Sequence, residues 1–580
     1  MTSDYNIYAV DPELRITARK QAEAFIRDQT QYHLGFLPTE QPHPYTRDFS
    51  QTVQSDPAEG VRLLLSVDRD LPPVARRTFF TAEFDELVDA FGDAIRSTGR
   101  VCFSGCGSTG RLAILLEEMW REFWEDRAGV QPGDAHRSPP SGSPERRKAL
   151  EYAERACSII TGGDRALIRS VENFEDYAPF GARQVADLDL REGDVLVAIS
   201  EGGETSSVLG TITEGLARGC RVFFIYNNPT DRLTRYIERS KRIIEDERVT
   251  VIDLYSGPMA LTGSTRMQAT TLEMVVAGAA MEEALRTAVE PGFKPDRQEV
   301  ANSFATLLHS LQEPENLRVL GELAVLEADL YRAGGRITYF ARKYLLDIFC
   351  DTTERTPTFM LPPFKRSDDP DGRPSWAYAK DPDHSGYDAW LTMLRRTPRG
   401  LAWSADDYRS MNANEQLIDQ PPILDNNEIY RYHIGSEDDR SRYEGAPSVF
   451  LSFDVSADQS TFSMVTTTTH TIKPALTRSA INLFHHIAVK LVFNTISTAS
   501  MGILGRIRNN WMVQVDPTNK KLIDRGSRII AQIVGIEYEP ACTELHLSLL
   551  ARQVALSKGI ESTTSPVVAA LERLQGTGSI

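Results

Sequence analysis

A strand, a glycine-rich loop and a helix follow one another at residues 100–124, and this succession constrains the chain more than any other feature. Arg100-Val-Cys-Phe-Ser104 is a short apolar run and Gly105-Cys-Gly-Ser-Thr-Gly110 a loop. Arg111 to Trp124 then carries apolar residues at 112, 114, 115, 119 and 120, the spacing of a helix. Such a unit opens an α/β domain, in which parallel strands bring their outgoing loops to one edge. Further strands are expected at 157–161, 195–200, 221–226 and 249–254, with helices at 205–218 and around 232–239, and a long apolar helix at 270–288.

The loop matches G-x-G-x-x-G and fits more than one ligand. A dinucleotide site requires an acidic residue ending the next strand, about 20 residues on, to hold the ribose. Here that distance falls inside the helix, which ends Trp124-Glu-Asp126. Ser108 and Thr109 at the variable positions, with backbone amides at a helix start, suit a phosphate monoester. A tight turn without a ligand is the plain alternative. Two further hydroxyl-rich loops precede helices. One brings Ser200, Gly202, Gly203 and Thr205, and the other, Leu261-Thr-Gly-Ser-Thr-Arg266, brings Ser264 and Thr265. Serine and threonine often cap helices. Three such loops in one α/β domain nonetheless point to one oxyanion, held with Gly107, Ser108 and Thr109 at the carboxyl edge of the sheet.

Residues 1–76 read as a polar, helical lead-in. After residue 300 a second α/β stretch is expected. Gly335-Arg-Ile-Thr-Tyr-Phe340 echoes Gly99-Arg-Val-Cys-Phe103, and Ser448 to Asp454 is another strand. Ala341-Arg-Lys-Tyr344 stands where the glycine loop would be, so this copy is degenerate. Residues 362–407 form a long insertion whose Trp376, Trp390 and Trp403 are partner anchors or a cap on the site. Residues 131–147 read as an exposed insertion, and the chain from Ile472 onward as almost wholly helical.

Charge and composition narrow the function. With 81 acidic against 64 basic side chains the net charge is −17, which argues against nucleic acid and anionic membrane as partners. Six scattered cysteines form neither a disulfide framework nor a zinc spacing. Met1 to Arg15 is polar and acidic, and the apolar stretch at 275–281 is too short to span a bilayer. A cytoplasmic protein with reduced thiols is expected. Without H-E-x-x-H spacing or a Walker loop, no metal and no nucleotide cofactor is expected. On residue type alone Glu172, Glu175, Glu354 and Lys521 are ordinary surface charges.

Together these segments resemble the sugar isomerase (SIS) domain family, and within it the N-acetylmuramic acid 6-phosphate etherases and the glucokinase regulatory proteins. Leu37-Pro-Thr-Glu-Gln-Pro-His-Pro44 is similar to the etherase lead-in. Gly105 to Leu112 is similar to the first phosphate loop, and Ile199 to Thr205 to the second, with Gly202 in place of a serine. Gly257-Pro-Met-Ala-Leu-Thr-Gly-Ser-Thr-Arg-Met267 resembles G-P-E-x-L-T-G-S-[ST]-R-[ML], with Met259 for the glutamate and Gln268 for the following lysine. Asn494 to Met501 and Pro517 to Leu522 resemble the etherase tail.

The resemblance implies roles. It places the substrate-side lysine on Lys521 and one acid/base glutamate on Glu175, with Glu172 beside it as a substrate contact. The other glutamate belongs to D-x-x-E-x-x-P-T-[FY], which occurs as Asp351 to Phe359 and gives Glu354; the corresponding first-half position is Met119. The implied fold is α/β: two tandem SIS domains, each a flavodoxin-like five-stranded parallel sheet flanked by helices. A helical arm (1–76) precedes the first domain (77–300), and a helical cap (496–580) follows the second (301–495). An internal pseudo-dimer with one composite site follows. Its implied ligand is a sugar 6-phosphate. Its implied activity is an etherase-like lyase using Glu175 and Glu354, or else a non-catalytic sensor regulating a partner such as a sugar kinase.

Overall fold

The structure, a computed structural model, describes residues 11–132, 143–171, 173–437, 445–560 and 564–576. Residues 133–142 of the expected exposed insertion lie outside the described residues.

β1 (Val101–Gly105), β2 (Ala156–Ile160), β3 (Val195–Ile199), β4 (Arg221–Tyr226) and β5 (Val249–Asp253) form one parallel sheet in the order β2-β1-β3-β4-β5. Every residue of β1, β2 and β3 is buried, as expected for a parallel sheet covered on both faces. The strand order reverses between β1 and β3, so the loops leaving these two strands lie side by side. Glycines fix the first of them. Gly107 has a φ of 57°, and it starts helix α1 (Ser108–Ala128). A Cβ on Gly110 would meet Ile160 of β2 at 2.4 Å, so only glycine lets α1 settle on the sheet. α2 (Ser206–Ala217) follows β3, and α3 (Gln268–Val289) follows the Gly257–Met267 segment.

The second sheet has the order β10-β9-β8-β6-β7. β6 (Arg336–Ala341), β7 (Ala377–Lys380) and β8 (Ser448–Val455) are parallel, while β9 (Phe462–Val465) and β10 (Thr469–Ile472) run antiparallel. The expected five strands are present, but this sheet is mixed rather than all-parallel. Connection length decides it: residues 456–461 and 466–468 suffice for a turn, whereas a parallel return needs a crossover of a dozen or more residues. α4 (Leu345–Phe359) follows β6, and α5 (Leu483–Ile503) and α6 (Lys520–Val534) follow the sheet. The C-terminal stretch departs from an all-helical reading, because β11 (Ile507–Arg508) and β12 (Trp511–Met512) form a ribbon between α5 and α6.

One hydrophobic core runs through both sheets. It joins Val101 and Ile199 of the first to Ile337 and Leu451 of the second through α1, α4 and α5. The 362–407 insertion belongs to this join. Trp390 is fully buried, its Nε1 donating to the Tyr432 carbonyl at 3.0 Å. Trp403 is buried, stacks on Phe174 and donates to Asp187 at 2.8 Å, and Trp376 packs half-buried against Tyr331. Trp390 and Trp403 are therefore packed inside the chain, not displayed as partner anchors. Arg395, Arg396 and Arg399 of the same segment pair with Glu118 at 2.6 Å and with Glu117 at 2.9 and 2.7 Å, on α1. Among the described residues no helix is long and apolar enough to cross a membrane, and all six cysteines are free.

Candidate functional site

A cavity of about 230 Å³ opens at the carboxyl edge of β1 and β3. Gly107, Ser108, Thr205, Ser264 and Thr265 line it from the first sheet and its loops. Glu354 reaches it from α4, Lys521 from α6, and Glu175 from the turn that follows β2. Ser108, Glu175, Glu354 and Lys521 thus share one cavity, although Ser108 and Glu354 are 246 positions apart.

Each functional group is held by a local device. Ser108 is the first residue of α1, and its Oγ donates to Glu354. The Ser264 hydroxyl is buried and has no hydrogen-bond partner, which leaves a donor free at the cavity wall. Phe174 is buried against Phe180, Trp403 and Tyr408, and this cluster pins the turn that presents Glu175. Asn519 caps α6 through its Oδ1 and donates from Nδ2 to Glu175 at 2.5 Å. Lys521 Nζ lies 3.8 Å from Glu175 and 3.6 Å from Glu204. Burial alone would lower the Lys521 pKa, but these two carboxylates outweigh it and raise it.

The lead-in segment supports α6. Glu40 accepts from Arg525 at 2.6 Å and from Arg528 at 2.8 Å. Burial pushes the Glu40 pKa up, yet the two guanidinium groups hold it down at about 2. The positions that depart from the etherase pattern are absorbed here. Met259 is fully buried and bridges to Pro42, while Gln268 donates to Asp68 at 2.7 Å and accepts from the Ala260 amide at 3.0 Å.

Four expected contacts are not on the cavity wall. The Thr109 hydroxyl accepts from the Cys106 amide at 3.0 Å and donates to the Cys106 carbonyl at 2.9 Å, so it closes its own loop. The Ser200 hydroxyl pairs with that of Thr205 at 3.1 Å. The Gly202 carbonyl accepts from Asn228 at 3.1 Å, and Gly203, at φ 73°, packs on Leu233. These four shape the loops that present the lining residues. Glu172 lies outside the described residues.

Among the lining residues that sequence reasoning did not single out, three stand close in sequence to expected ones. Arg111 donates to the Gly107 and Leu167 carbonyls, both at 3.2 Å, and its Nε has no hydrogen-bond partner. Glu201 stands within the second loop, and burial pushes its pKa up to about 7 against the lowering effect of Lys521. Asn519 is the third. All three lie inside segments already singled out, where the hydroxyls and the lysine drew attention away from their neighbours.

No family model matches the chain. Curated relatives do match part of it. The N-acetylmuramic acid 6-phosphate etherase of Aliivibrio fischeri (strain MJ11) is 31% identical over 219 residues, which cover 38% of this chain and 57% of the relative. Over part of its length the chain is similar to N-acetylmuramic acid 6-phosphate etherases. The etherase of Salmonella agona (strain SL483) is 28% identical over 250 residues, or 42% of this chain and 68% of that protein. The match to the Aliivibrio etherase thus spans little more than half of that enzyme's length. Among solved structures, the C-terminal domain of glucosamine-fructose-6-phosphate aminotransferase from Francisella tularensis is 11% identical and covers 75% of this chain and 95% of its own. Its TM-score of 0.31 is too low to bear on the fold.

Proposed function

We propose that the chain binds a hexose or amino-sugar 6-phosphate in this cavity and acts on it as an etherase-like carbon–oxygen lyase, with Glu175 and Glu354 as acid and base. One observation carries the reading. Two carboxylates from opposite halves of the chain reach one cavity beside Ser108, the unpartnered Ser264 hydroxyl and Lys521. Hydroxyls at helix starts and a lysine suit a phosphate dianion. The carboxylates suit proton transfer at the sugar. One glutamate takes the proton from C2, the other protonates the ether oxygen at C3 as lactate leaves, and water then adds to the double bond. Glu201, with its pKa near 7, adds a third carboxyl able to exchange a proton near neutrality. On this reading residues 77–300 and 301–495 are two SIS domains forming an internal pseudo-dimer, and the second lends Glu354 to the first.

The test is lactate release from N-acetylmuramic acid 6-phosphate by the purified chain. Release that is lost in Glu175→Gln and in Glu354→Gln is the expected result. Saturable binding of a hexose 6-phosphate, with no lactate released from N-acetylmuramic acid 6-phosphate, would exclude the lyase and leave a sensor, whose partner would then be sought among sugar kinases.

A further inference from the structure

A second cavity, of about 1070 Å³, lies at the edge of the second sheet, where Ala341-Arg-Lys-Tyr344 leaves β6. It is the counterpart of the first. α1 starts at the first cavity with Ser108 and carries Glu118 and Glu122 into the second. α4 starts at the second with Leu345 and carries Glu354 into the first. In the second cavity Glu118 and Glu122, one helical turn apart, meet His486 of α5. One oxygen of each carboxylate and one ring nitrogen lie within 4.8 Å of one another.

The hydrogen bonds leave this cluster unfinished. Arg395 donates to Oε1 of Glu118 at 2.6 Å, to Oε1 of Glu122 at 2.8 Å and to Oε2 of Glu125 at 2.9 Å. Asn482 donates to Oε2 of Glu122 at 3.2 Å. His486, 2% exposed, is bonded through Nδ1 to Asp347 at 2.9 Å. Its Nε2 has no hydrogen-bond partner, and it faces Oε2 of Glu118, equally unpartnered, at 3.9 Å. That separation is too long for a hydrogen bond. It is close to the roughly 3.4 Å between ligand atoms bound at ~2.0–2.2 Å around a tetrahedral ion. Hydrogen bonds set four carboxylates, those of Glu118, Glu122, Glu125 and Asp347, on one guanidinium and one imidazole, while Lys343 attracts Glu122 and Arg121 attracts Glu125. An imidazole whose far nitrogen is held by a carboxylate is the usual support of a metal-ligating histidine.

We propose that Glu118, Glu122 and His486 bind a divalent first-row transition-metal ion such as Zn²⁺, with Asp347 orienting the imidazole and Arg395 the two carboxylates. Imidazole with carboxylate oxygens suits such an ion. On binding, the ion takes the place of any proton on His486 Nε2, and that proton leaves to solvent. The site is independent of what the first cavity binds.

The test uses the full chain, stripped with a chelator, desalted and titrated with Co²⁺, whose visible absorption reports its ligands, and then with Zn²⁺ in competition. One equivalent per chain, retained through desalting, is the expected result. Glu122→Gln and His486→Gln should each weaken binding at least about a hundredfold, and Asp347→Asn ten- to a hundredfold. Glu122 is the least buried of the three ligands, so its variant keeps the test decisive if His486→Gln fails to fold. No Co²⁺ uptake by the stripped, folded chain would overturn the proposal, as would a folded Glu122→Gln chain that binds as tightly as its parent.

Discussion

Ser108 donates its hydroxyl hydrogen to Glu354, and this single bond joins the start of α1 in the first half to the middle of α4 in the second. A phosphate at the start of α1 must compete with that carboxylate for the same hydroxyl. A carboxylate beside a phosphate also repels it. On the proposed reading Glu354 sets a cost on anion entry, which contacts to sugar hydroxyls would offset.

Glu354→Gln should consequently separate two properties. Inorganic phosphate should bind more tightly, because a competing charge is gone, while lactate release should fall by at least about a hundredfold, the scale of acid–base catalysis. Calorimetric titration with phosphate and a coupled lactate assay on the same preparation check both. Weaker phosphate binding in the variant would show that Glu354 supports the anion rather than opposing it.

Ser264→Ala tests the proposed anion site without disturbing the fold. The parent hydroxyl is buried and has no hydrogen-bond partner, so removing it loses no intramolecular bond and relieves an unsatisfied group. Stability in urea should stay level or rise slightly. Sugar-phosphate affinity should fall about ten- to a hundredfold, since a hydrogen bond to a charged group contributes about 1.5–3 kcal/mol. Ser108→Ala should weaken binding to a similar extent.

Part of this cavity was legible because the loops that line it carry hydroxyls at helix starts, and such loops are local in sequence. Ser108, Ser264 and Thr265 could be named that way. Thr109 and Ser200 could not be told apart from lining residues, because a hydroxyl that closes its own loop and one that faces a ligand look alike in sequence. Glu175 and Glu354 needed the family resemblance: nothing in their neighbourhoods distinguishes them from surface carboxylates. The antiparallel β9 and β10 were missed although the connections at 456–461 and 466–468 are too short for crossovers. Glu118, Glu122 and His486 lay beyond reach altogether, since tertiary packing brings α5 to α1 across more than half of the chain.

Glu201 should give the fold a pH signature. Burial, the largest influence, raises its pKa from 4.5 to about 7 in the folded chain, so between those values the folded state holds a proton that the unfolded state has released. Stability should therefore fall as pH rises from about 4.5 to 7 and level off above, with a contribution of about 3 kcal/mol at most. Urea midpoints across that range check it. Glu201→Gln should flatten this component of the slope, and an unchanged profile would mean that the carboxyl is ionised throughout.

Asp351, one turn before Glu354 on α4, offers the sharpest test of how the halves are locked. Its Oδ1 accepts from Arg266, Asn494 and Ser497, each at 2.9 Å, and its Oδ2 lies 2.8 Å from Arg355. Arg266 belongs to the Gly257–Met267 segment and Asn494 to α5, so one carboxylate ties together the first half, α4 and the tail. Both guanidinium groups are almost fully buried, and they hold Asp351 ionised against a burial effect that alone would raise its pKa. Asp351→Asn keeps the shape but removes the charge. Arg266 loses its carboxylate partner, while Arg355 keeps Glu327 at 3.0 Å. Uncompensated buried charge of this kind costs about 3–5 kcal/mol, which denaturation in urea would register directly. Because Glu354 rides on the same helix, lactate release should fall as well. It should fall less than in Glu354→Gln, since Asp351 positions the carboxylate without touching substrate. A loss of stability below about 1 kcal/mol would show that α4 is held by its apolar packing on α5 and not by this ion network.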